Sequence, residues 1–301
     1  MPAADPWRRA VTLSGWPLWW RLLLISALWG AGFPLVRIAA AAMPPFALAF
    51  GRALLAVLAV LLWAWFAGAL RGGYPRAMLR HALVLGTTNG WLPNVLTAIA
   101  LVTLGSAQAA LIQSASPLMV AAAAAVLLPH ERLGPAGLAG LLLGVAGLAI
   151  ILGPASFGAG ADPLGGLLML AAAASYAAGN LYTRVVLPGN AAQLALGQQA
   201  VSALGAGALM LGVEGTAGLE QPAFIWATLA ALAVLASALP VTLFVALAQR
   251  ARATDSAMTG FLQPVFAAVL GAVLLAEWPQ AHVLAGGAVI LAGVWLATRR
   301  R

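Results

Sequence analysis

The sequence predicts an all-α integral membrane protein in which ten transmembrane helices form two inverted five-helix repeats. The first observation is composition: of 301 residues, 63% are hydrophobic and only 7% are charged, whereas about a quarter of a soluble domain is charged. The second is a series of ten apolar runs, each near the roughly 20 residues that cross a bilayer as helix. The third is an internal register in which the second half of the chain repeats the first.

The ten predicted spans are separated by charged residues, prolines and glycines. Because a backbone in lipid must satisfy its own hydrogen bonds, each span is expected to be helical. The predicted spans are 20–41, 46–67, 80–103, 106–128, 135–153, 163–186, 192–212, 223–248, 255–276 and 281–298.

The distribution of arginine predicts the orientation, since cationic residues concentrate on the cytoplasmic side of a membrane. All fifteen cationic side chains are arginines, and a cytoplasmic N-terminus places every one except Arg37 and Arg52 in a cytoplasmic segment. The sequence therefore predicts a multi-pass protein of the cell (inner) membrane with both termini cytoplasmic. A cleavable signal peptide is the rival interpretation of the N-terminal apolar run. It is disfavoured because this run has a partner later in the chain.

The missing residue types exclude several kinds of chemistry. Without lysine there is no P-loop and no pyridoxal Schiff base, and without cysteine there is no disulfide or thiolate nucleophile. The three histidines lack a second ligand at helical spacing, so no metal or other cofactor is expected. An intramembrane enzyme would need clustered His, Asp, Glu or Cys, and no such cluster is found. The net charge of +8 is explained by topology rather than by nucleic-acid binding, which leaves a small-molecule substrate and membrane lipids as partners.

The internal repeat is carried by an offset of 147 residues, which aligns ALWGAGFPLVR (27–37) with ASYAAGNLYTR (174–184). Beyond Leu128 the offset becomes 146. Compositional bias can align alanines and glycines, but it does not align prolines and acids. The pairs held in register are Pro93 with Pro240, Pro117 with Pro264, and Glu131 with Glu277. The chain therefore divides into residues 1–154 and 155–301. Since five spans is an odd number, the second repeat is inverted, as in secondary transporters.

Three short motifs carry a resemblance to a known family. They are ALWGAGF in the first span, SASPLMV followed by PHERL in the fourth, and FLQPVFA followed by LAEW in the ninth. They resemble the drug/metabolite transporter superfamily and its EamA-type domain, one such repeat in each half. The resemblance implies ten helices, a central cavity and transport of small organic solutes, and its overall impression favours the aromatic amino-acid exporters. The second half departs from the pattern, with Tyr176-Ala177 where the first half has Trp29-Gly30.

Polar and aromatic side chains within the spans are the candidates for substrate binding, because polar groups facing lipid are costly. Amides would line a polar cavity and aromatic rings would stack on a substrate. The alternative for each amide is a hydrogen bond that holds two helices together. The predicted substrate-binding residues are Trp29, Asn89, Trp91, Asn94, Gln113, Ser116, Tyr176, Asn180, Phe244 and Gln263.

Four prolines within the spans are predicted to kink helices and to gate the cavity. Each lacks a backbone donor and frees the carbonyl four residues earlier. They are Pro93, Pro117, Pro240 and Pro264. For Arg52, inside the second span, a bond to a neighbouring helix or snorkelling is favoured over contact with a substrate carboxylate.

The favoured mechanism is uncoupled export by alternating access, since no acid lies deep in a span. A proton-coupled drug/metabolite antiporter is the alternative, with Asp255 at the start of the ninth span; a channel or lipid flippase is less favoured. Glycine stripes at Gly140/Gly144/Gly147 and Gly286/Gly293 predict close helix packing within the chain, or else a dimer face. A monomer or weak dimer is expected.

Overall fold

The computed structural model describes most of the chain. The described residues are 13–66, 68, 74–127, 134–152, 163–186, 191–251, 255–256, 258–276, 278 and 281–298. Within these residues all regular secondary structure is helical.

Thirteen α-helices make up most of the described residues. They are α1 Trp16–Ala40, α2 Pro45–Phe66, α3 Ala77–Gly86, α4 Leu92–Ala100, α5 Ser106–Gln113, α6 Ala115–Leu127, α7 Pro135–Leu152, α8 Pro163–Val186, α9 Ala191–Leu209, α10 Ala223–Ala233, α11 Leu239–Ala248, α12 Thr259–Leu275 and α13 Ala281–Thr298. Short π-helical segments connect α3 to α4 (Thr87–Trp91) and α10 to α11 (Val234–Ala238), and a third (Met210–Glu214) extends α9. A 3-10 turn covers Ala217–Leu219.

Five of these helical stretches are long and apolar enough to cross a membrane. They are Trp16–Ala40, Pro45–Phe66, Leu164–Thr183, Ala191–Glu214 and Ala223–Ala248, and shorter apolar helices cover Pro135–Gly147, Thr259–Leu275 and Leu284–Gly293. Large apolar side chains also lie on the outer surface, including Trp65 and Phe66 with 74% and 80% of their surface exposed. A multi-pass membrane protein accounts for both observations, because lipid rather than water covers such side chains.

The helices of the second half recur at the offset found in the sequence. α1 begins at residue 16 and α8 at 163, and α4 begins at 92 and α11 at 239. Both pairs differ by 147 residues. The π-helical segment 87–91 recurs at 234–238 by the same offset, while α7 (135–152) and α13 (281–298) are related by 146. The two halves are thus built from the same succession of helices and interruptions.

Prolines account for the two related π-helical segments. Pro93 and Pro240 each stand near the start of the helix that follows the interruption. A proline ring clashes with the carbonyl four residues earlier and cannot donate to it, so the preceding turn widens. Gly90, inside the first segment, departs from helical geometry altogether, with φ −121° and ψ −113°.

Glycines bring α7 and α13 into close contact within the chain. A Cβ added at Gly147 would lie 2.7 Å from the Gly286 carbonyl oxygen, and one at Gly293 would lie 2.6 Å from the Gly140 carbonyl oxygen. The two predicted glycine stripes therefore face each other. Small residues permit such close backbone approach in membrane bundles.

A carboxylate links α2 to the end of α9. Glu214 accepts hydrogen bonds from the Phe46 backbone N–H at 2.9 Å and the Ala47 backbone N–H at 2.7 Å. The first N–H groups of a helix have no partner within it, and its positive dipole end favours an anion. Glu214 thus caps α2 from the other half of the chain.

Candidate substrate cavity

A cavity with a free volume of about 980 Å³, its open mouth included, lies among the helices of both halves. α1, α2, α4, α5 and α6 contribute lining residues from the first half, and α8, α9, α11 and α12 contribute from the second. The two related π-helical segments also reach it, through Asn89 and through Ala236 and Ser237. The cavity therefore lies beside the helix interruptions that the prolines create.

Nine of the ten predicted substrate-binding residues line this cavity. They are Trp29, Asn89, Asn94, Gln113, Ser116, Tyr176, Asn180, Phe244 and Gln263. The tenth, Trp91, is not among the lining residues.

Two hydrogen bonds join the π-helical region of the first half to α8. The Tyr176 hydroxyl donates to Asn94 Oδ1 at 3.0 Å, and Asn89 Nδ2 donates to Asn180 Oδ1 at 3.3 Å. Each bond connects helices from different halves, yet all four side chains also face the cavity. The same amides therefore line the cavity and form hydrogen bonds between helices, the two roles considered for them in the sequence analysis.

A third bond joins α5 to α12 across the same cavity. Gln113 Nε2 donates to Gln263 Oε1 at 3.4 Å, and Gln263 is buried with 6% of its surface exposed. Two nearby lining residues carry buried hydroxyls, Ser116 Oγ and Thr97 Oγ1, that have no hydrogen-bond partner among the described residues. Because both oxygens are buried, they are shielded from a solute that occupies the cavity in this conformation.

Trp29 and Phe244 form the aromatic part of the lining. Their ring centroids are 5.0 Å apart with the planes tilted by 52°, a geometry favoured by aromatic pairs. Gly30, next to Trp29, allows α1 to approach α12 closely. A Cβ at Gly30 would lie 2.6 Å from Phe266 Cβ and 2.9 Å from the Gln263 carbonyl oxygen. The Trp-Gly pair thus places a ring in the cavity and a bare backbone against the adjacent helix.

Trp91 lies elsewhere, against α9. Its indole ring occupies the space where a Cβ on Gly205 would stand, and its Nε1 donates to Thr87 Oγ1 at 3.3 Å. It packs with Phe50, Val95 and other apolar side chains. The structure therefore gives Trp91 a packing role between helices and separates it from the other predicted residues.

Each of the four predicted kink prolines has a cavity-lining residue four positions earlier. These residues are Asn89, Gln113, Ala236 and Gly260, preceding Pro93, Pro117, Pro240 and Pro264 respectively. Because the proline has no N–H, the carbonyl at that position loses its usual helical donor.

Side chains from neighbouring helices donate to three of these freed carbonyls. Gln198 Nε2 donates to the Asn89 oxygen at 3.2 Å, and Ser114 Oγ donates to the Gly260 oxygen at 3.1 Å. Arg52 Nη2 donates to the Ala236 oxygen at 3.1 Å. The prolines thus fix cross-helix hydrogen bonds at the cavity wall.

The family of the chain is shown by its sequence. The profile of the EamA-like transporter family matches twice, over residues 18–153 and 163–299. The chain belongs to the EamA-like transporter family. It is accordingly a membrane transporter of the drug/metabolite type, and the two matched segments coincide with the two sets of related helices.

Comparison with solved structures identifies a protein of similar fold. One solved structure, described as "Crystal structure of protein", shares 22% sequence identity and superposes with a TM-score of 0.72, covering 92% of this chain and 95% of its own. At that identity the likeness shows the fold alone. No curated protein sequence matches the chain significantly.

The cavity of this EamA-like transporter also holds polar residues that were not predicted to bind substrate. Gln198 and Gln199 of α9 line it and are each only 3% exposed. Arg52 lines it from α2, and donates through Nε to Ser237 Oγ at 2.7 Å. For Arg52 the expected bond to a neighbouring helix is present. The internal offset offered a signal for both glutamines, since Gln199 stands at the position in α9 that corresponds to Arg52 in α2 and Gln198 directly precedes it.

Proposed function

We propose that this EamA-like transporter exports small organic solutes, most favourably aromatic or other hydrophobic amino acids and related metabolites, by alternating access through the central cavity. One observation carries the proposal: amides, a tyrosine and an aromatic pair from both halves of the chain converge on a single cavity. Amides and hydroxyls can hold the polar end of an amino acid, while the rings of Trp29 and Phe244 can pack against its side chain.

The proposed topology has ten transmembrane helices in two inverted repeats, residues 1–154 and 155–301, with both termini cytoplasmic in the inner membrane. The recurrence of helices and interruptions at one offset supports the repeat. In this topology α3–α4 and α5–α6 each form one interrupted span, and so do α10–α11. Discontinuous helices at the repeat interface are a common feature of transporter binding sites.

Unequal packing of related helices supports alternating access. α8 packs along α4 and contacts α3 less, with His81 Nδ1 of α3 lying 2.8 Å from the Tyr182 hydroxyl of α8. The related helix α1 packs along α10 more than along α11. In the proposed topology, with a cytoplasmic N-terminus, α4 and α10 lie on the external side. In that topology this arrangement corresponds to a cavity closed on the external side. Exchange of these packings between the halves would open the cavity to the other side.

We propose that the transport is uncoupled. Among the described lining residues of the cavity there is no aspartate or glutamate, and carboxylates are the usual proton carriers within spans. The second candidate is a proton-coupled antiporter. It is favoured by one observation, the burial of Asp255, which is 5% exposed beside the start of α12.

Flux into proteoliposomes tests this proposal. Purified protein should mediate saturable, stereoselective uptake of L-phenylalanine at a rate that changes little when a pH gradient is imposed. Strong acceleration by the gradient would replace uniport by proton coupling. Flux that neither saturates nor distinguishes enantiomers would favour a channel or a flippase and contradict the carrier.

A further inference from the structure

We infer that Arg52 provides an anion-binding subsite in the cavity, which receives the carboxylate of an organic substrate. The inference rests on the proposed function, since it concerns the same cavity, and it narrows the class of solute. It favours monocarboxylates, including zwitterionic amino acids, over hydrophobic cations.

The first support is the position and incomplete pairing of the guanidinium. Arg52 is the eighth of the 22 residues of α2 and lines the cavity. Its Nε and Nη2 donate to Ser237 Oγ and to the Ala236 carbonyl oxygen, both of which are neutral acceptors. Among the described residues Nη1 has no hydrogen-bond partner, and no carboxylate lines the cavity. The positive charge therefore lies at the cavity wall without a counter-ion from the described part of the chain.

The second support comes from the other half of the molecule. Asn89 and Ala236 are related by the offset of 147, and each has a carbonyl freed by a proline four residues later. Gln198 of α9 donates to the Asn89 oxygen as Arg52 of α2 donates to the Ala236 oxygen. A neutral amide thus performs in one half the structural task that arginine performs in the other. The bond to the freed carbonyl does not require a charge, so the charge of Arg52 needs another explanation.

The free-energy cost of placing an ion in the interior of a membrane protein indicates which kind of ligand would explain the charge of Arg52. An isolated charge away from water is unfavourable, and a bound anion offsets that cost. A guanidinium can hold a carboxylate by charge-assisted hydrogen bonds in a fixed geometry. A hydrophobic cation in the same cavity would meet an uncompensated positive charge. The Trp29–Phe244 pair, which lines the same cavity, offers an apolar surface for the remainder of the solute.

Binding to the purified full-length protein in nanodiscs tests the inference with solutes that differ only at one end. The series is 3-phenylpropanoate, 3-phenylpropanamide and phenethylamine, with 4-methylpentanoate and 4-methylpentanamide as an aliphatic pair. Ligand-induced shifts of the melting temperature, titrated with each solute, give relative affinities. We expect each carboxylate to bind about ten- to a hundredfold more tightly than its amide, the range expected for hydrogen bonds to a charged group. Phenethylamine should bind most weakly.

Three variants assign the preference to the guanidinium. Arg52→Gln should fold, because Gln198 shows that an amide can donate to the corresponding carbonyl oxygen. It should reduce the carboxylate-to-amide ratio to near one. Arg52→Lys keeps the charge and should retain part of the preference. Arg21→Gln is the matched control: Arg21 does not line the cavity, donating to the Pro17 carbonyl oxygen and stacking 4.2 Å from the centre of the Trp20 ring. It should leave the ratio unchanged.

The inference is overturned if wild-type protein binds amides as tightly as carboxylates, or binds none of the carboxylates at millimolar concentration. Neither measurement depends on the folding of a variant. It is also overturned if Arg52→Gln retains the full preference. Failure of the proposed function has a different signature: a carboxylate preference lost in Arg52→Gln, without flux of any of these solutes in proteoliposomes, supports the anion site and contradicts the export proposal.

Discussion

Replacing Gly293 by alanine should destabilise the protein, whereas the same replacement at Gly287, six residues earlier in α13, should not. A Cβ at position 293 would lie 2.6 Å from the Gly140 carbonyl oxygen and 3.0 Å from the Gly144 backbone nitrogen. These are backbone atoms of α7, which cannot turn aside as a side chain can. A Cβ at position 287 would meet only Val265 Cγ2, at an ordinary contact distance of 3.7 Å. Both glycines are buried within the same helix.

The difference between the two variants isolates the steric cost. Alanine stabilises a helix interior by about 0.5–1 kcal/mol relative to glycine, and this gain applies to both positions. Overfilling a packed interface costs about 1–3 kcal/mol, and this loss applies to Gly293 alone. The free energies of unfolding should therefore differ by about 1–3 kcal/mol, which corresponds to roughly 2–12 °C in melting temperature.

Thermal unfolding of the two purified variants in one detergent, followed by intrinsic fluorescence, measures this difference. Gly287→Ala should melt at or slightly above the temperature of the wild-type protein. If Gly293→Ala melts no lower than Gly287→Ala, α7 and α13 do not approach as closely as described. Their glycine stripes would then be free to form a contact between copies of the chain.

Three further predictions concern the cavity and its frame. Gln263→Ala and Asn94→Ala should each lower proteoliposome uptake of L-phenylalanine while the protein still folds and purifies. Wild-type rates in both variants would show that these amides do not meet the substrate. Trp29→Leu should weaken binding of 3-phenylpropanoate about three- to tenfold, the loss expected for one aromatic pair, and leave 4-methylpentanoate unaffected. An equal loss for both solutes would indicate a general disturbance. Glu214→Ala should lower the free energy of unfolding by about 1–3 kcal/mol, because two backbone donors of α2 lose a charged acceptor. Glu220→Ala, an exposed residue of the same connection, should melt like wild type, and an equal shift in both would contradict the cap.

Apolar length and spacing were sufficient to predict which stretches are helical, but not where helices are interrupted. The predicted span 80–103 is divided in the structure into α3, a π-helical segment and α4, and the predicted span 106–128 breaks at Ser114. Hydropathy averages over many residues, whereas these breaks follow from the missing N–H of Pro93 and Pro117. The number of spans, ten, remains a prediction.

The interruptions also explain which predicted residues meet in the cavity. In a regular α-helix, Asn89 and Asn94 would differ by about 140° around the axis, since each residue turns the chain by about 100°. The chain between them does not follow this geometry, because the π-helical segment has a wider turn and Gly90 departs from helical geometry altogether. Both asparagines line the cavity, while the Trp91 ring packs against α9. A helical wheel drawn from the sequence alone cannot make this assignment, because it assumes a constant turn.

The position of the cavity follows from the prolines, and its chemistry follows from the difference between the halves. Each of the four prolines frees a carbonyl on a residue that lines the cavity, so repeated proline positions create a nearly symmetric wall. A solute with one anionic end is not symmetric. Such a cavity needs a cation in one half only, and the other half can complete its wall with an amide. Arg52 and Gln198 fulfil this requirement, because they donate to corresponding carbonyl oxygens at 3.1 and 3.2 Å and differ in charge. In our proposal, the departure from symmetry, rather than the symmetry itself, identifies the residue that distinguishes one class of solute from another.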